Sequence, residues 1–449
     1  MFENIIEQDA VLQLRDDILS RRCAPSMLFF GPPESGKGSA ALEFARISSC
    51  EGDASWKCLC PACERHRYLL HSDLLMLGPR SFQSEISACY SAFLRNVSNK
   101  SAKILFIRSV RKLQMRFSSV LTEDDPKIGK LASVLQSVEE KLNEFETLAA
   151  AATEDGQESS RQALEKLSGS LVKDALSLAN DGLSGVIPIG HIRRASYWCR
   201  LAPNGKRKTL VIENAENMRE EARNSLLKLL EEPPSSVNIV LTSRRREAIM
   251  PTILSRLRPY RFLRRSAESE KEVIRRVFQD SVEGKDLFLR GSLVSAYLDS
   301  FLPANTEKLY PLAAWFIVSL ARLAAVSVKK NREAVPQIVN VLGERYAPTA
   351  GTSGLEHPQK ISDVAKTLIE ESGNFEDDSF SRFLKITLDM VSSVMREEKG
   401  PQFIAYNEMF KKYINEAETS VNILNISTAS AIDALLFNLR KTLARGRYG

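Results

Sequence analysis

The sequence lacks any uninterrupted run of about 18 or more apolar residues, the length that a membrane-spanning helix needs. Its first ten residues, MFENIIEQDA, carry acids where a secretory signal peptide has a basic segment. Cysteine is scarce and odd in number, with seven among 449 residues, which argues against a disulfide framework. These absences predict a cytoplasmic protein with no membrane partner.

The chain also has little excess charge of either sign, because its formal net charge is only +6 over 449 residues. Such a charge permits contact with nucleic acid but does not require it. The hydrophobic content of 43% is that of a globular protein. The length predicts roughly two to four domains, each with a core of its own.

The most informative stretch is residues 27–39, MLFFGPPESGKGS, in which an apolar strand, a Gly/Pro-rich turn and the start of a helix follow one another. This order is typical of a phosphate-binding loop. The backbone N–H groups around Gly31 and Gly36 surround polyphosphate oxygens, and Lys37 reaches the outer phosphates. The stretch therefore predicts a fold derived from nucleotide-binding proteins.

The residue after the lysine departs from this pattern. A loop that hydrolyses ATP has Ser or Thr at this position, because the hydroxyl binds Mg²⁺. Here the residue is Gly38, and Ser39 comes one position too late. The loop is therefore stronger evidence for the fold than for hydrolysis.

Four cysteines fall within fourteen residues, in the string CEGDASWKCLCPAC. Four thiolates in one loop can close a tetrahedral zinc site and fix a segment too polar to fold by burial. The predicted ligands are Cys50, Cys58, Cys60 and Cys63. Only one residue separates Cys58 from Cys60, which strains the geometry, so His66 is a possible substitute ligand. The alternative is a set of buried thiols without metal.

Residues 82–184 contain two amphipathic runs, 131–148 and 164–178, with apolar residues at helical spacing. They predict an antiparallel helical hairpin. The hairpin is either an insertion packed against itself or an arm that docks DNA or a partner.

Beyond the loop, the chain resembles the AAA+ subunits of the bacterial DNA polymerase III clamp loader. The segments that carry the resemblance are residues 2–23, the strand HSDLLML at 71–77, the run from VIPIG to LLEEPP at 186–234, and SRL at 255–257. The resemblance covers nearly all of the chain except the hairpin region.

The resemblance implies an α/β fold class, in which an AAA+ P-loop module has a parallel sheet flanked by helices and is followed by a helical lid and an all-α collar. The implied limits are 1–262 for the module, with a zinc loop at 50–63 and a helical insertion at about 82–184, then 263–303 for the lid and 304–449 for the oligomerising collar. The last helices resemble those that close the collar.

The resemblance also assigns roles to single residues. Glu213 stands where the family has the aspartate that organises Mg²⁺, and Asn214 replaces the glutamate that orients the attacking water. Thr242, or its neighbour Ser243, holds the place of the residue called sensor 1. Ser295, in the run that begins at Gly291, replaces the arginine of sensor 2.

Arg256, in contrast, matches the arginine finger, which acts on the nucleotide of a neighbouring subunit. The alternative is an ordinary member of a basic surface that includes Arg244, Arg245, Arg246, Arg258 and Arg261.

Loss of the chain's own hydrolytic groups with retention of the finger favours the delta-prime type, a largely non-hydrolysing stator of the DNA-directed DNA polymerase holoenzyme. The implied partners are gamma/tau and delta subunits in a hetero-oligomeric ring, the sliding clamp, and primed DNA through the complex. ATP then binds, if at all, without being hydrolysed, and zinc is the implied metal. The alternatives are an active gamma/tau-type ATPase and a zinc-bearing AAA+ nucleic-acid-binding protein outside the replisome.

Overall fold

A computed structural model describes most of the chain. The described ranges are 1–123, 126–155, 158–183, 185–283, 292–301, 305–330, 336–358, 360–371, 379–397, 401–422 and 426–445. They fall into two compact units, Met1–Phe301 and Leu302–Gly449. The predicted limits of module, lid and collar stay predictions.

The first unit alternates strands and helices. Its regular elements are α1 (Asp9–Leu19), β1 (Ser26–Phe30), α2 (Lys37–Ser49), α3 (Pro61–Arg67), β2 (Leu74–Leu77), α4 (Gln83–Arg95), α5 (Lys100–Gln114), α6 (Ser119–Thr122), α7 (Pro126–Asp155), α8 (Glu158–Gly182), α9 (Ile189–Arg200), β3 (Lys208–Ile212), α10 (Glu220–Glu231), β4 (Val237–Ser243), α11 (Pro251–Leu254), β5 (Arg258–Arg261), α12 (Ala267–Val273) and α13 (Leu293–Asp299). A 3₁₀ turn, Met115–Phe117, follows α5, and a π-helical turn, Ile274–Phe278, follows α12.

The strands form one parallel sheet with the order β2-β3-β4-β1-β5. Its registers pair Leu77 with Ile212, Ile212 with Leu241, and Phe30 with both Ser243 and Arg261. The carboxyl ends of the strands therefore meet at one edge, where ligands bind in open α/β sheets. The predicted α/β fold class, a parallel sheet flanked by helices with an all-helical C-terminal region, is confirmed.

Successive strand residues point to opposite faces of the sheet, and both faces are covered. Met27, Phe29 and Val211 pack with α1 and α2 on one face. Leu28 and Ile212 pack with α9 and α10 on the other. The nearly continuous apolar character of β1, β3 and β4 follows from this double burial.

The two predicted helices of the hairpin are confirmed as α7 and α8, but they are not packed only against each other. Phe145 of α7 is fully buried and meets Phe93 of α4 and Phe106 of α5 edge to face, with ring centroids 5.2 and 5.3 Å apart. The same apolar cluster takes in Ile274 and Tyr297 from the region predicted as the lid. The hairpin therefore does not pack only on itself, because part of each helix's apolar stripe faces α4 and α5. The insertion at about 82–184, which includes α4 and α5, stays a prediction.

Polar contacts join the hairpin to α5 as well. Arg111 donates to Glu146 Oε2 over 2.6 Å, and Lys103 Nζ donates to the carbonyl oxygen of Ala149 over 2.9 Å. Both cationic side chains are buried, so these bonds satisfy groups that would otherwise destabilise the core.

The second unit is helical in its described parts. Its helices are α14 (Asn305–Lys330), α15 (Gln337–Gly351), α16 (Ile361–Glu371), α17 (Ser379–Glu397), α18 (Pro401–Asn422) and α19 (Thr428–Arg445). Apolar residues from all six form one core, which includes five residues of α19: Ile432, Leu435, Leu436, Leu439 and Leu443.

Helix α15 continues through Pro348 to Gly351, although the Gly/Pro/Ser-rich composition of residues 347–358 is typical of a loop. Proline removes one helical hydrogen bond. The flanking Tyr346 and Ala350 are buried in the core, and Tyr346 donates its hydroxyl to Met390 O over 2.6 Å. Tertiary packing thus keeps this turn helical.

One segment of α14, Leu309–Val328, is apolar and long enough to cross a membrane by length and composition. However, 72% of that window is buried inside the protein, as in the central helix of a bundle.

The buried ring of Phe145 offers a test of how the hairpin is held. Phe145→Ala should lower the free energy of unfolding by about 3–5 kcal/mol, because it leaves a cavity between Phe93 and Phe106. Glu139→Ala, at an exposed position of the same helix, is the control and should change it by less than about 0.5 kcal/mol. Denaturant unfolding measures both. Equal effects would mean that the ring of Phe145 is not buried between Phe93 and Phe106.

Candidate functional site

The predicted phosphate-binding loop connects β1 to α2. Gly31 has φ 151°, and a Cβ there would lie 2.1 Å from the carbonyl oxygen of Phe262. Gly36 has φ 94°, the left-handed region that favours glycine, and precedes the first residue of α2. Both glycines are therefore required by the path of the loop, which leads the N-terminus of α2 to the carboxyl edge of the sheet.

Lys37 lies folded into this loop. Its Nζ donates to the carbonyl oxygens of Gly31 and Pro32, at 2.7 and 2.5 Å, and lies 3.2 Å from Ser35 Oγ. Burial lowers the pKa of Lys37 to about 8, so the ammonium remains mostly protonated at neutral pH. The loop carbonyls hold the ammonium group of Lys37 inside the loop, close to where a bound phosphate would lie.

Gly38 lies against the end of β3. A Cβ at this position would lie 2.9 Å from Glu213 Oε1 and 3.4 Å from Arg80 Nη1. A serine or threonine there would require the carboxylate of Glu213 to shift, so the hydroxyl that binds Mg²⁺ competes with the present position of this side chain. Ser39, the next residue, is exposed on the first turn of α2.

Glu213 follows β3 directly and is buried. Its Oε1 accepts from Arg80 Nη1 over 2.9 Å, and its Oε2 accepts from Arg116. Burial acts to raise the pKa of Glu213, but the guanidinium groups of Arg80 and Arg116 outweigh it, and the pKa is lowered. The carboxylate is therefore ionised and already neutralised by two side-chain cations.

The same cations form a larger cluster. Arg80 Nη2 donates to Glu85 Oε2 over 2.6 Å, and Lys112 Nζ donates to Glu85 Oε1 over 2.5 Å. Against the effect of burial, Arg80 and Lys112 lower the pKa of Glu85 to about 2. Likewise, Glu85 and Glu213 overcome burial and raise the pKa of Arg80. We call Arg80, Glu85, Lys112, Arg116 and Glu213 the charge cluster.

These residues do not fit the Mg²⁺ ion that a P-loop fold implies. The loop offers no hydroxyl at position 38, and each oxygen of Glu213 already accepts from a guanidinium group. A divalent cation beside Glu213 would also face the positive charges of Arg80 and Arg116.

The other residues at the carboxyl edge are held by local bonds. Asn214 has φ 49°, its side-chain amide donates to Pro79 O over 2.7 Å, and its backbone N–H donates to Thr242 Oγ1 over 3.2 Å. The structure thus brings Glu213, Asn214 and Thr242 together near the loop. An amide cannot accept a proton from water, so Asn214 cannot act as a base.

The region predicted as the lid brings an arginine to the loop. Arg265 Nε donates to Ile6 O over 3.2 Å, Nη1 donates to Glu34 O, and Nη2 lies 2.6 Å from where a Cβ on Gly36 would be. Ser295 lies in the first turn of α13, and its backbone N–H donates to Oγ of the N-cap residue Ser292 over 3.3 Å. Gly291 lies outside the described residues.

Arg256 lies in the turn between α11 and β5, and a third of its side chain is exposed. It donates to Thr252 O over 2.6 Å and forms an ion pair of 2.7 Å with Glu231 at the end of α10. Both partners are surface groups, and such pairs contribute little, about 0–1 kcal/mol. The guanidinium can therefore exchange Glu231 for another anion at little cost.

The four predicted zinc ligands converge. Their sulfur atoms all lie within 4.8 Å of one another, with Cys50 Sγ 3.6 Å from Cys58 Sγ and 3.8 Å from Cys60 Sγ. Sulfurs around a tetrahedral zinc ion, with Zn–S bonds of about 2.3 Å, lie about 3.8 Å apart. The close spacing of Cys58 and Cys60 in sequence does not prevent this arrangement. The cluster fits a zinc ion, for which it would supply four thiolates.

Polar groups around the thiols support the same conclusion. Arg46 Nη1 donates to Cys63 Sγ over 2.8 Å, and the backbone N–H of Gly52 donates to Cys50 Sγ over 3.3 Å. Donors of this kind stabilise thiolates and orient them on a metal.

His66 does not join the cysteines. Its ring is buried and stacks on His71 with centroids 4.2 Å apart. Burial lowers the pKa of His66 to about 3, so it is neutral. Sequence spacing alone made it a substitute ligand, and α3 directs its ring away from the thiols.

Sequence reasoning missed the arginines of the charge cluster. Arg80 lies three residues after β2, at the edge where strand ends meet, which was a usable signal. Arg116 lies in a 3₁₀ turn inside the region assigned to the insertion, and no local pattern connects it with Glu213.

Comparison with known proteins was made by family and by structure. A family model described as DNA polymerase III, delta subunit, matches residues 6–144 and 143–266, more than half of the chain. The matched residues run on through the region at 82–184. No curated protein matches the chain. Among solved structures, it is similar to a DNA polymerase III, gamma subunit-related protein from Thermotoga maritima, with 18% identity, coverage of 62% of this chain and 90% of that chain, and a TM-score of 0.29.

The cysteine cluster predicts the metal content. Protein purified without chelator should contain about one zinc ion per chain, and Cys58→Ser should lose most of it, because three thiolates hold the metal more weakly. Cys23→Ser, which alters a thiol outside the cluster, is the control and should keep the metal. Elemental analysis by mass spectrometry checks all three proteins. Absence of metal from the unaltered protein would leave the four residues as buried thiols.

Proposed function

The chain belongs to the DNA polymerase III delta-subunit family, and from this premise we propose that it is a delta-prime-type clamp-loader subunit. It acts as a largely non-hydrolysing AAA+ stator that helps to load the sliding clamp onto primed DNA during replication. It supplies Arg256 to the nucleotide site of a neighbouring ATPase subunit. One contrast carries the proposal. In the chain's own site, Arg80 and Arg116 engage the carboxylate of Glu213 that would bind Mg²⁺, whereas Arg256, the proposed finger, is exposed.

The chain's own site lacks the groups that hydrolysis uses. Gly38 removes a metal ligand, Asn214 removes the water-orienting carboxylate, and Glu213 is engaged by two arginines. Loss of one such group commonly lowers a rate by about 10²–10³. Together these losses support a subunit that does not turn over ATP, whether or not it binds it.

Arg256, by comparison, is positioned to act on another chain. It is exposed on the turn after α11, and its only side-chain carboxylate contact among the described residues is the surface pair with Glu231. A guanidinium delivered to the γ-phosphate of a neighbour stabilises charge that develops during transfer. An intact finger beside a silent site favours the stator over a gamma/tau-type motor.

The proposed partners follow from the family. They are gamma/tau and delta subunits in a hetero-oligomeric ring, the sliding clamp, and primed DNA contacted through the complex. The helical second unit would serve as the collar that holds the ring together, and zinc would fix the loop between α2 and α3. The site of action is then the cytoplasm.

The first prediction concerns turnover. The purified chain should hydrolyse no ATP above background, because Gly38 offers no hydroxyl for Mg²⁺, Glu213 is engaged by two arginines, and Asn214 cannot act as the base. Lys37→Ala is the matched control and should give the same background rate. Turnover that this substitution abolishes would favour the gamma/tau-type motor.

The second prediction concerns the finger. In a reconstituted loader, Arg256→Ala should lower DNA-stimulated ATP hydrolysis at least about tenfold while the variant still joins the complex, because a finger contributes about 10³–10⁵ at its own site. Arg245→Ala, at another exposed arginine, should have a much smaller effect. If the two variants behave alike, Arg256 is only part of a basic surface. Failure of the unaltered chain to assemble with polymerase III subunits would favour a role outside the replisome.

A further inference from the structure

The charge cluster adjoins the phosphate-binding loop at the position where a working P-loop holds Mg²⁺. Arg80 Nη1 lies 3.4 Å from where a side chain on residue 38 would begin. This position belongs to the hydroxyl that binds the metal in a hydrolysing loop. The guanidinium group of Arg80 therefore lies beside the position that Mg²⁺ takes in a hydrolysing P-loop.

The cluster carries an excess of positive charge. Its cations are Arg80, Lys112 and Arg116, and its anions are Glu85 and Glu213, which leaves one positive charge uncompensated within the cluster. The Nε and Nη1 atoms of Arg116 are buried and have no hydrogen-bond partner in the described part of the chain. The side chain of Arg116 is only 3% exposed. The guanidinium of Arg116 also lies over the ring of Phe82, 5.7 Å from its centroid, which compensates part of its charge. The unpartnered donors and the excess positive charge together favour an anion beside the cluster.

We propose that this P-loop binds the polyphosphate of a nucleotide without a divalent cation, and that Arg80 supplies the positive charge that Mg²⁺ supplies elsewhere. This deepens the proposed function, since it specifies how a non-hydrolysing subunit holds its ligand. The ligand class is a metal-free nucleoside diphosphate or triphosphate.

Arg80 has the donors for this role. A guanidinium carries five N–H groups, of which Glu213 and Glu85 each take one, so three remain. The side chain is 31% exposed, so part of it faces solvent. Guanidinium groups bind phosphate in a bidentate manner, and their charge persists at all physiological pH values.

The rest of the loop can cooperate without metal. The N-terminus of α2 and the backbone N–H groups of the loop favour anions. Among the described residues, the hydrogen-bond acceptors of Lys37 are neutral, two carbonyl oxygens and a hydroxyl, and none of them is an anion. A phosphate would therefore meet Lys37 and Arg80, two cations that do not depend on Mg²⁺.

The test measures binding of ATP and ADP to the full chain by isothermal titration calorimetry, in parallel in EDTA and in excess MgCl₂. The two dissociation constants should agree within about twofold. A nucleotide that binds only with MgCl₂, or does not bind at millimolar concentration in either buffer, overturns the proposal.

A variant assigns the effect to Arg80. In EDTA, Arg80→Gln should weaken ADP binding about tenfold or more, since a hydrogen bond to a charged group is lost. Arg200→Gln, at an exposed arginine that ends α9, is the matched control and should bind ADP as the unaltered chain does. Circular dichroism confirms that each variant is folded. Equal affinities of a folded Arg80→Gln protein and the control remove Arg80 from the site.

A double variant tests whether Arg80 takes the place of Mg²⁺ or only adds positive charge near the phosphates. Gly38→Ser combined with Arg80→Ala provides a hydroxyl and frees one oxygen of Glu213. Binding by this double variant should become stronger in MgCl₂ than in EDTA by about tenfold. If the folded double variant remains indifferent to the metal, Arg80 does not stand in its place. These titrations use the isolated chain, so their failure leaves the role of Arg256 in the assembled loader untouched.

Discussion

Much of the first unit depends on how Glu213 is held between two arginines. Arg80 comes from the end of β2 and Arg116 from the turn after α5, so one carboxylate joins the sheet to the helices that follow it. Leaving one partner of such a buried pair unmatched commonly costs about 3–5 kcal/mol. The two cations and the carboxylate therefore have to be present together, and the absence of a side chain at Gly38 gives them their space.

The charge cluster also explains why the hairpin region is not an appendage. Glu85 and Lys112 lie on α4 and α5, the helices whose Phe93 and Phe106 receive the ring of Phe145. The same two helices thus reach the carboxyl edge of the sheet through the charge cluster and contact α7 through their aromatic rings. The charge cluster and the aromatic cluster are both built on α4 and α5. A substitution that moves either helix would therefore affect both clusters.

Sequence patterns predicted the features that depend on residues close together in the chain. The apolar strand before the loop, the two long helices of the hairpin and the convergence of four cysteines were readable from composition and spacing, whereas the strand before Glu213 was expected from the resemblance to clamp-loader subunits. β5 was missed because it is a short edge strand whose residues, Arg258 to Arg261, are mostly exposed and include Pro259. The pairing of Arg80 and Arg116 with Glu213 joins residues 133 and 97 positions apart in the chain, and no periodicity reports such a contact. The packing side of α7 was misjudged for the same reason, since a helix's apolar stripe does not reveal its partner.

The crowding around Gly38 has an evolutionary consequence. A side chain introduced at position 38 would begin 2.9 Å from Glu213 Oε1 and 3.4 Å from Arg80 Nη1, so the ends of these two side chains would have to shift. Glu213 and Arg80 are joined to each other and to Arg116 and Glu85, so such a shift would disturb the whole charge cluster. A hydroxyl at position 38 and the present charge cluster therefore compete for the same space, and a lineage that regained the hydroxyl would have to rearrange the cluster with it.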